Sequence, residues 1–577
     1  MIALVLIIIS AKIRYRSGEI DYLDSDATWH ALYTIECYNE TPISQHLFLP
    51  IVSMGGEDNK WISWGACIPD DVGNYYYTSF SPAGYFVPWA FMKAFNLPIE
   101  EKSLYIFNTF LLSVSALILI YLLWSVYLEY EWKGFLTITA AIAYILSPEI
   151  LHGMGIVYWS QSIMQVTLLL QILAYYKCFI QKEEKYKCIF YIMTFINPYI
   201  EWTGYVANVG FALAEIIRNG KKCRKEGITR SFIIAGLTAL SFGLFCLHYL
   251  LRTDTVVFFT ALKNRFMARN VTTSVLLTDV IGGYLKSFLY LWVAFLVLTI
   301  WNIIKTGFIR IENGLLLLVS AFPIIENIVM KQHAIAYTYD RMKAVFVLIL
   351  LLCELQKGIY ETISSKNSRL ICVGVIVIAS LLNLKSYIKD PAYIWDVDYR
   401  TYNAQLAEYV TGKYPDAVYA SDSAIRGYMN LLFGRGIYEG QSLDSAIEIA
   451  RQKGKENVVY IKKDGYKLQP VVVMNIMSDV LYEISNDGNI VEILLGDYVQ
   501  AAEMTDDNWT NGVSNNSNVI LFSRNDNLLI QLLTHDFLVC NNIRMNINDV
   551  EFDDLWIRVE TNISPDTCQY PSQIYIE

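Results

Sequence analysis

The feature that most limits how this chain can fold is a succession of apolar runs, each near the length that carries a helix across a bilayer. A membrane-crossing helix needs about 20 apolar residues, because in hydrocarbon every backbone N–H and C=O must be paired within the segment. Such runs lie near 1–12, 103–127, 134–150, 158–180, 188–200, 202–218, 231–251, 284–304, 313–330, 343–359 and 370–388, predicting about eleven transmembrane helices. The first is short, because Ile2–Ile9 soon meets Lys12 and Arg14, as a late start or a trimmed N-terminus would produce. It lacks the basic n-region and small-residue cleavage site of a signal peptide. The pair 188–200 and 202–218, interrupted by Asn197, Pro198 and Glu201, also reads as one kinked helix. With 54% hydrophobic and only 17% charged residues, the expected class is a polytopic α-helical membrane protein with a soluble appendage.

Charge divides the chain. From Pro391 onward there are 27 acidic and 13 basic residues, a balance of −14, which leaves +4 for the preceding part of a chain whose total is −10. The loop Arg218–Arg230 is strongly basic and is predicted to be cytoplasmic, as are Lys182, Lys185, Lys187, Lys305, Arg310, Lys357, Lys366 and Arg369. Counting outward places the N-terminus inside and 13–102, 252–283, 331–342 and 389–577 outside; Lys12, Arg14 and Arg16 then break the bias. No dense basic stripe occurs away from membrane-flanking loops, which excludes a nucleic-acid binder. Three regions follow: a transmembrane domain over 1–388 with a large first outer loop (13–102), an extracytoplasmic α/β domain over 389–496, and a β-sandwich-like domain over 497–577. Within them, Ser442–Lys453 predicts a helix, while Asn457–Ile461, Leu528–Leu533 and Leu555–Glu560 predict strands. The ten cysteines show no CxxC and no zinc-type spacing. Cys37 with Cys67, and Cys540 with Cys568, share outer regions and are either disulfide candidates or free thiols.

Several polar residues stand out against this apolar background. Asp24-Ser25-Asp26 opens a stretch of helical character through Tyr38, so Asp26 and His30 lie one turn apart on one face. A carboxylate beside a desolvating bilayer surface gains basicity and can take a proton from a hydroxyl. The same residues equally fit a helix N-cap. Tyr75-Tyr76-Tyr77 through Pro88, with Phe80, Tyr85, Phe86 and Trp89 around Pro82 and Pro88, suits a re-entrant or interfacial segment, or an aromatic belt. Arg265 and Arg269, at i and i+4 in a predicted outer loop, make a clamp for a phosphate or a contact with lipid headgroups. Lys331–Arg341 brings His333, Tyr339, Asp340 and Arg341 into another outer loop, as an acceptor or phosphate site or as a tight turn with an internal Asp–Arg pair. Glu201, beside Trp202 at membrane depth, is costly unless used or placed in a loop.

Asp26-Ala27-Thr28-Trp29-His30-Ala31 resembles the first-outer-loop motif of the GT-C glycosyltransferases, in which an Asp is followed four residues later by an aromatic or His and then Ala. In pattern it is similar to the lipid A aminoarabinose transferases and protein O-mannosyltransferases, which carry Asp-Glu where this chain has Asp26-Ala27; Asp24 is a substitute from the other side. Tyr77-Thr78-Ser79-Phe80-Ser81-Pro82-Ala83-Gly84-Tyr85 is similar to their aromatic-x-x-x-Pro-Pro-Leu-x-Tyr motif, with Ser81 in place of the first proline. The resemblance implies a GT-C-like bundle and inverting transfer of a sugar from a polyprenyl-phosphate donor to a glycan, lipid or protein acceptor. Asp26 would be the general base, with Asp24 beside it. The implied substrate-binding residues are His30, Tyr77, Tyr85, Glu201, Arg265, Arg269, His333, Tyr339 and Arg341. The resemblance implies that no nucleotide-sugar site is needed; a divalent cation could assist the phosphate, but no ligand cluster stands out. The implied location is the bacterial plasma membrane. The competing readings are a transporter or flippase of lipid-linked saccharides and a non-catalytic wall-associated protein.

Overall fold

The computed structural model describes residues 5–9 and 25–576 apart from 55–61, 63, 65, 220–223, 308, 310, 363–365, 390–397, 424, 426, 465–466, 469–470 and several stretches after 476 (477–479, 487–489, 495–498, 504–518, 524–528, 530–531, 534, 541–542, 553–555 and 563–572). At some element ends only the backbone is described, Ser25 and Asp26 among them. The chain forms two units. One comprises Met1–Asp398 and Ala424–Gly436; the other comprises Tyr399–Ser423 and Ile437–Glu577.

The first unit is helical. Glu101–Val126, Ser160–Ile180, Lys225–Leu250 and Asn367–Lys389 are each long and apolar enough to cross a membrane. The 26 residues of Glu101–Val126 give a rod of roughly 39 Å, longer than the ~30 Å hydrocarbon layer. Phe110, Leu117 and Trp124 stand exposed along it, as lipid-facing side chains do. Two further pairs are bent. Lys133–Ile145 meets Pro148–Gly155 at 60°, where Pro148 starts the second piece, and Leu277–Ser287 meets Leu289–Lys305 at 81°. The described helices thus provide four spans, or six if each bent pair counts as one, where the apolar runs predicted eleven. The difference has local causes. The runs at 188–200 and 202–218 form helices of only 14 and 17 residues, the run at 284–304 breaks at Phe288, and the run at 313–330 divides at Phe322-Pro323.

The segment before the first long apolar helix is ordered around three elements: the helix Ser25–Glu40, a two-stranded antiparallel pair of Cys67–Pro69 with Tyr75–Tyr77, and the helix Ala83–Phe95 that begins directly after Pro82. Cys37 and Cys67 are free thiols, not a disulfide. Cys568 lies outside the described residues, as does the Cys540 side chain.

Ala424–Gly436 joins this helical unit although the chain on either side belongs to the other. Its short helix Gly427–Phe433 lies on Ser25–Glu40, with the Tyr428 and Trp29 rings 4.3 Å apart. A Cβ on Gly427 would sit 2.9 Å from the Trp29 carbonyl oxygen and 3.0 Å from the His30 nitrogen. Both are backbone atoms that cannot rotate away, so Gly427→Val is expected to cost about 1–3 kcal/mol and lower the thermal midpoint of the protein in detergent. An unchanged midpoint would show that the two backbones are not held in contact.

In the second unit the sheet order is Val418–Ala420, Asn457–Tyr460, Val471–Asn475, Val480–Asn486, Ile490–Leu494. The first two strands are parallel, the rest antiparallel. The helix Leu443–Gln452 links the parallel pair; Ser442 caps it, accepting from Ser445 N at 3.1 Å, and it buries Ala446, Ile447 and Ala450 against Val418 and Val458. After Asp497 the strands form one six-stranded sheet, ordered Val499–Glu503, Gln573–Ile576, Phe537–Cys540, Ile543–Phe552, Trp556–Thr561, Val519–Ser523. Leu529, Leu532 and Leu533 are helical rather than in a strand. Buried Leu529 and Leu532 beside exposed Leu533 follow a helical period, which a short apolar run does not distinguish from a strand.

Candidate active site

Residues distant in sequence converge in the helical unit on one cavity. Ala27 and His30 come from Ser25–Glu40, Tyr77 and Phe80 from the strand and loop that follow, and Trp159 from the residue before the helix Ser160–Tyr175. Arg269 comes from the last turn of Thr255–Asn270, and His333, Tyr337 and Tyr339 from the region of Lys331–Ala336 and the turn after it.

Each contributor is held locally. Thr28 Oγ1 accepts from Tyr158 N at 2.9 Å, and the Trp29 indole donates to Glu101, fixing the helix that carries His30. Tyr249 donates to the carbonyls of Tyr77 (2.6 Å) and Phe80 (3.1 Å), and Trp202 donates to Ser79 O (2.8 Å). Asp254 caps Thr255–Asn270 by accepting from Val256 N and Val257 N at 2.8 and 3.0 Å. That helix places Arg265 one turn before Arg269.

Arg269 is buried, its guanidinium stacked 5.2 Å over the Phe80 ring, and its Nε has no hydrogen-bond partner. Arg265 Nε is likewise unpartnered. Neither guanidinium forms an ion pair with a carboxylate among the described residues. Burial lowers the basicity of Arg269, and neighbouring Arg265 lowers it further while Tyr77 opposes. A buried cation without an acid is costly unless an anion is supplied from outside.

His30 sits among rings: Tyr77 at 4.4 Å, Trp64 at 5.1 Å, Trp159 at 5.3 Å and Tyr85 at 5.5 Å. Its Nε2 has no hydrogen-bond partner among the described residues, nor has the Tyr85 hydroxyl. Trp64 donates in turn to Ile425 O at 2.8 Å. His333 is oriented by Asp340, with Nδ1 3.2 Å from Oδ2. Asp340 is saturated besides: it accepts from Gln161 (3.2 Å) and Asn327 (2.9 Å) and pairs with Lys343 (3.1 Å), which also pairs with Glu326. Burial and the charge of Arg265 push His30 down to about 3; burial outweighs Asp340 at His333 and pushes it to about 4. Both imidazoles are therefore neutral near pH 7.

The unfolded chain binds protons at these histidines below about 6.5, while the folded state binds them only near 3–4. Stability accordingly rises with pH from about 4 to 6.5, by roughly 1.4 kcal/mol per pH unit per histidine, and levels off above. His333→Gln is expected to reduce that slope by one histidine's share in thermal melts across this window. An unchanged slope would mean that His333 titrates alike in both states.

Of the residues singled out from sequence, His30, Tyr77, Arg269, His333 and Tyr339 line this cavity, Tyr85 packs on His30, and Arg265 acts on His30 through its charge. Asp26 is the second residue of Ser25–Glu40, next to Ala27 and one turn before His30; its side chain and all of Asp24 lie outside the described residues. Arg341 does not line the cavity. It pairs with Glu149 at 3.2 Å and donates to Ser287 Oγ (2.8 Å) and Ala334 O (2.7 Å), so there is no internal Asp340–Arg341 turn pair: Asp340 takes His333 and Lys343 instead. Glu201 belongs to a separate small cleft with Ser81, Trp202 and Phe245, where its carboxylate accepts from Thr203 N at 2.8 Å. Sequence reasoning passed over Trp159 and Lys343. The available signals were an aromatic pair, Tyr158-Trp159, at the mouth of a predicted span and a lysine at the very start of another. Among the described residues no group of three or more His, Cys, Asp or Glu converges to hold a metal ion.

No protein-family model matches the sequence, and no curated protein does. The structure is similar to the crystal structure of ArnT from Cupriavidus metallidurans bound to undecaprenyl phosphate, with a TM-score of 0.51 at 10% identity over 97% of this chain and 97% of that one. Weaker likenesses are to the same protein in its apo state, with a TM-score of 0.46 at 10% identity over 98% of each chain, and to the apo oligosaccharyltransferase of Archaeoglobus fulgidus, with a TM-score of 0.49 at 10% identity over 79% of this chain and 69% of that one. At such identity the likeness concerns the fold, and the first comparison carries it. The chain is an integral membrane protein with the fold of that ArnT structure.

Proposed function

We propose that this protein is a membrane glycosyltransferase that moves a sugar from a polyprenyl-phosphate donor to an acceptor hydroxyl on the outer face of a bacterial plasma membrane, with the second unit extracytoplasmic. The observation that carries the reading is Arg269: a buried guanidinium, without an acid partner among the described residues, in the same cavity wall as the helix that bears Asp26. A phosphate is the anion that such a site lacks. In the reaction, the acceptor oxygen attacks the anomeric carbon and its proton passes to Asp26. The bond from that carbon to the phosphate oxygen breaks, and the departing polyprenyl phosphate gains a negative charge that Arg265 and Arg269 meet. A single displacement inverts the anomeric centre. The acceptor is a glycan, a lipid or a protein. A divalent cation enters only as an additional partner of the phosphate.

The rival reading, a flippase for lipid-linked saccharides, draws on Asp340, Lys343 and Glu326 buried in the bundle. Those charges are paired with one another and hold His333, which suits a rigid wall better than a path. The test is turnover of the purified full-length protein in lipid nanodiscs with a panel of polyprenyl-phosphate sugars. Release of free polyprenyl phosphate with any donor supports transfer. Movement of lipid-linked sugar between leaflets with no release supports the flippase.

A further inference from the structure

The cavity has a chemical character beyond its fit to a phosphate. Tyr77, Phe80, Trp159, Tyr337 and Tyr339 supply aromatic faces, two neutral imidazoles supply polar edges, and Arg269 supplies the charge. None of the described lining residues is acidic. Asp340, behind His333, has its oxygens taken by four partners. His30 Nε2, buried and unpartnered, is a hydrogen-bonding atom that no described protein group satisfies.

Resting on the glycosyl-transfer reading, we propose that this wall is the subsite for the donor's sugar, that His30 Nε2 hydrogen-bonds a ring hydroxyl, and that the sugar is uncharged, a neutral pentose or hexose. A sugar ring has C–H faces that pack on aromatic rings and hydroxyls that must be paired once water is excluded, and the wall offers both in the proportion usual for ligand pockets. An amino sugar fits poorly. Aromatic faces do attract an ammonium, but the Phe80 face is already covered by Arg269, and Arg265 adds a second like charge. Pairing an ammonium with Asp26 would also lower that carboxylate's basicity, which the reaction needs.

The experiment measures binding to the full-length protein in nanodiscs. The ligands are undecaprenyl phosphate, the same lipid carrying glucose, mannose, galactose or arabinose, and the same lipid carrying 2-amino-2-deoxyglucose. The best neutral-sugar lipid is expected to bind about tenfold tighter than the bare lipid, and the amino-sugar lipid no tighter than the bare lipid. His30→Ala removes that tenfold gain and leaves bare-lipid affinity within about twofold. Tyr337→Leu, from a different loop of the same wall, lowers the same gain and serves if the His30 variant misfolds. Arg269→Ala weakens every ligand. Tighter binding of the amino-sugar lipid, no gain from any neutral sugar, or an equal loss of bare lipid in His30→Ala overturns the proposal. Failure of the bare lipid to bind, or indifference to Arg269→Ala, instead overturns the glycosyl-transfer reading on which it rests.

Discussion

Asp26→Asn is expected to leave the protein folded and inserted while lowering sugar transfer by about 10²–10⁴-fold, the range for loss of a positioned general base. The amide matches the carboxylate in shape and size at the second position of the Ser25–Glu40 helix. What it loses is the ability to accept a proton from the attacking hydroxyl. Binding of undecaprenyl phosphate should change little, because in this reading the phosphate is held by Arg265 and Arg269. Steady-state transfer by the variant, set beside its thermal midpoint and its lipid affinity, distinguishes a chemical loss from a structural one. Transfer at the wild-type rate would remove Asp26 as the base and turn attention to His333, whose Nδ1 is taken by Asp340.

Arg269→Ala is expected to lower kcat/KM by about 10²–10³-fold, comparable to removal of a donor from a site where negative charge develops. The donor phosphodiester carries one negative charge and the departing phosphate monoester up to two, so the guanidinium binds the transition state better than the ground state. The loss should therefore fall more on kcat than on KM. Arg269→Lys should recover only part, since a point charge cannot match a planar fork. Stability should move the other way. Removing a buried cation that has no acid partner among the described residues is neutral or stabilising, so the melting temperature of Arg269→Ala should hold or rise. A strongly destabilised variant would instead mean that Arg269 serves the fold.

Much of this site was legible along the chain, for reasons that particular residues make clear. Arg265 and Arg269 stand one helical turn apart in a stretch that the positive-inside bias does not explain, and the helix Thr255–Asn270 keeps that spacing. Tyr75 through Pro88, which reads along the chain as a re-entrant or interfacial segment or an aromatic belt, forms a strand that ends at Tyr77 and a helix that starts at Ala83, directly after Pro82. Arg341 was misread because its surroundings were invisible: Glu149, which takes its charge, lies in a different bent span. The apolar runs do not show where a helix turns, because hydropathy reports composition and not direction. The 81° turn at Phe288 and the division at Phe322-Pro323 leave the average unchanged.

By itself, then, the sequence determined that the chain enters a membrane, that an acid-bearing helix and a paired-arginine helix flank the apolar bundle, and that an acidic α/β region follows. These are properties of neighbouring residues: length, periodicity, caps and local charge. The tertiary structure alone decided that Arg269 has no acid partner among the described residues while Arg341 is paired with Glu149, that Asp340 orients His333, and that Gly427 returns to lie against the backbone of Trp29 and His30. Whether a charge is spent or free depends on which groups surround it in space, and those groups come from segments that are remote in the chain.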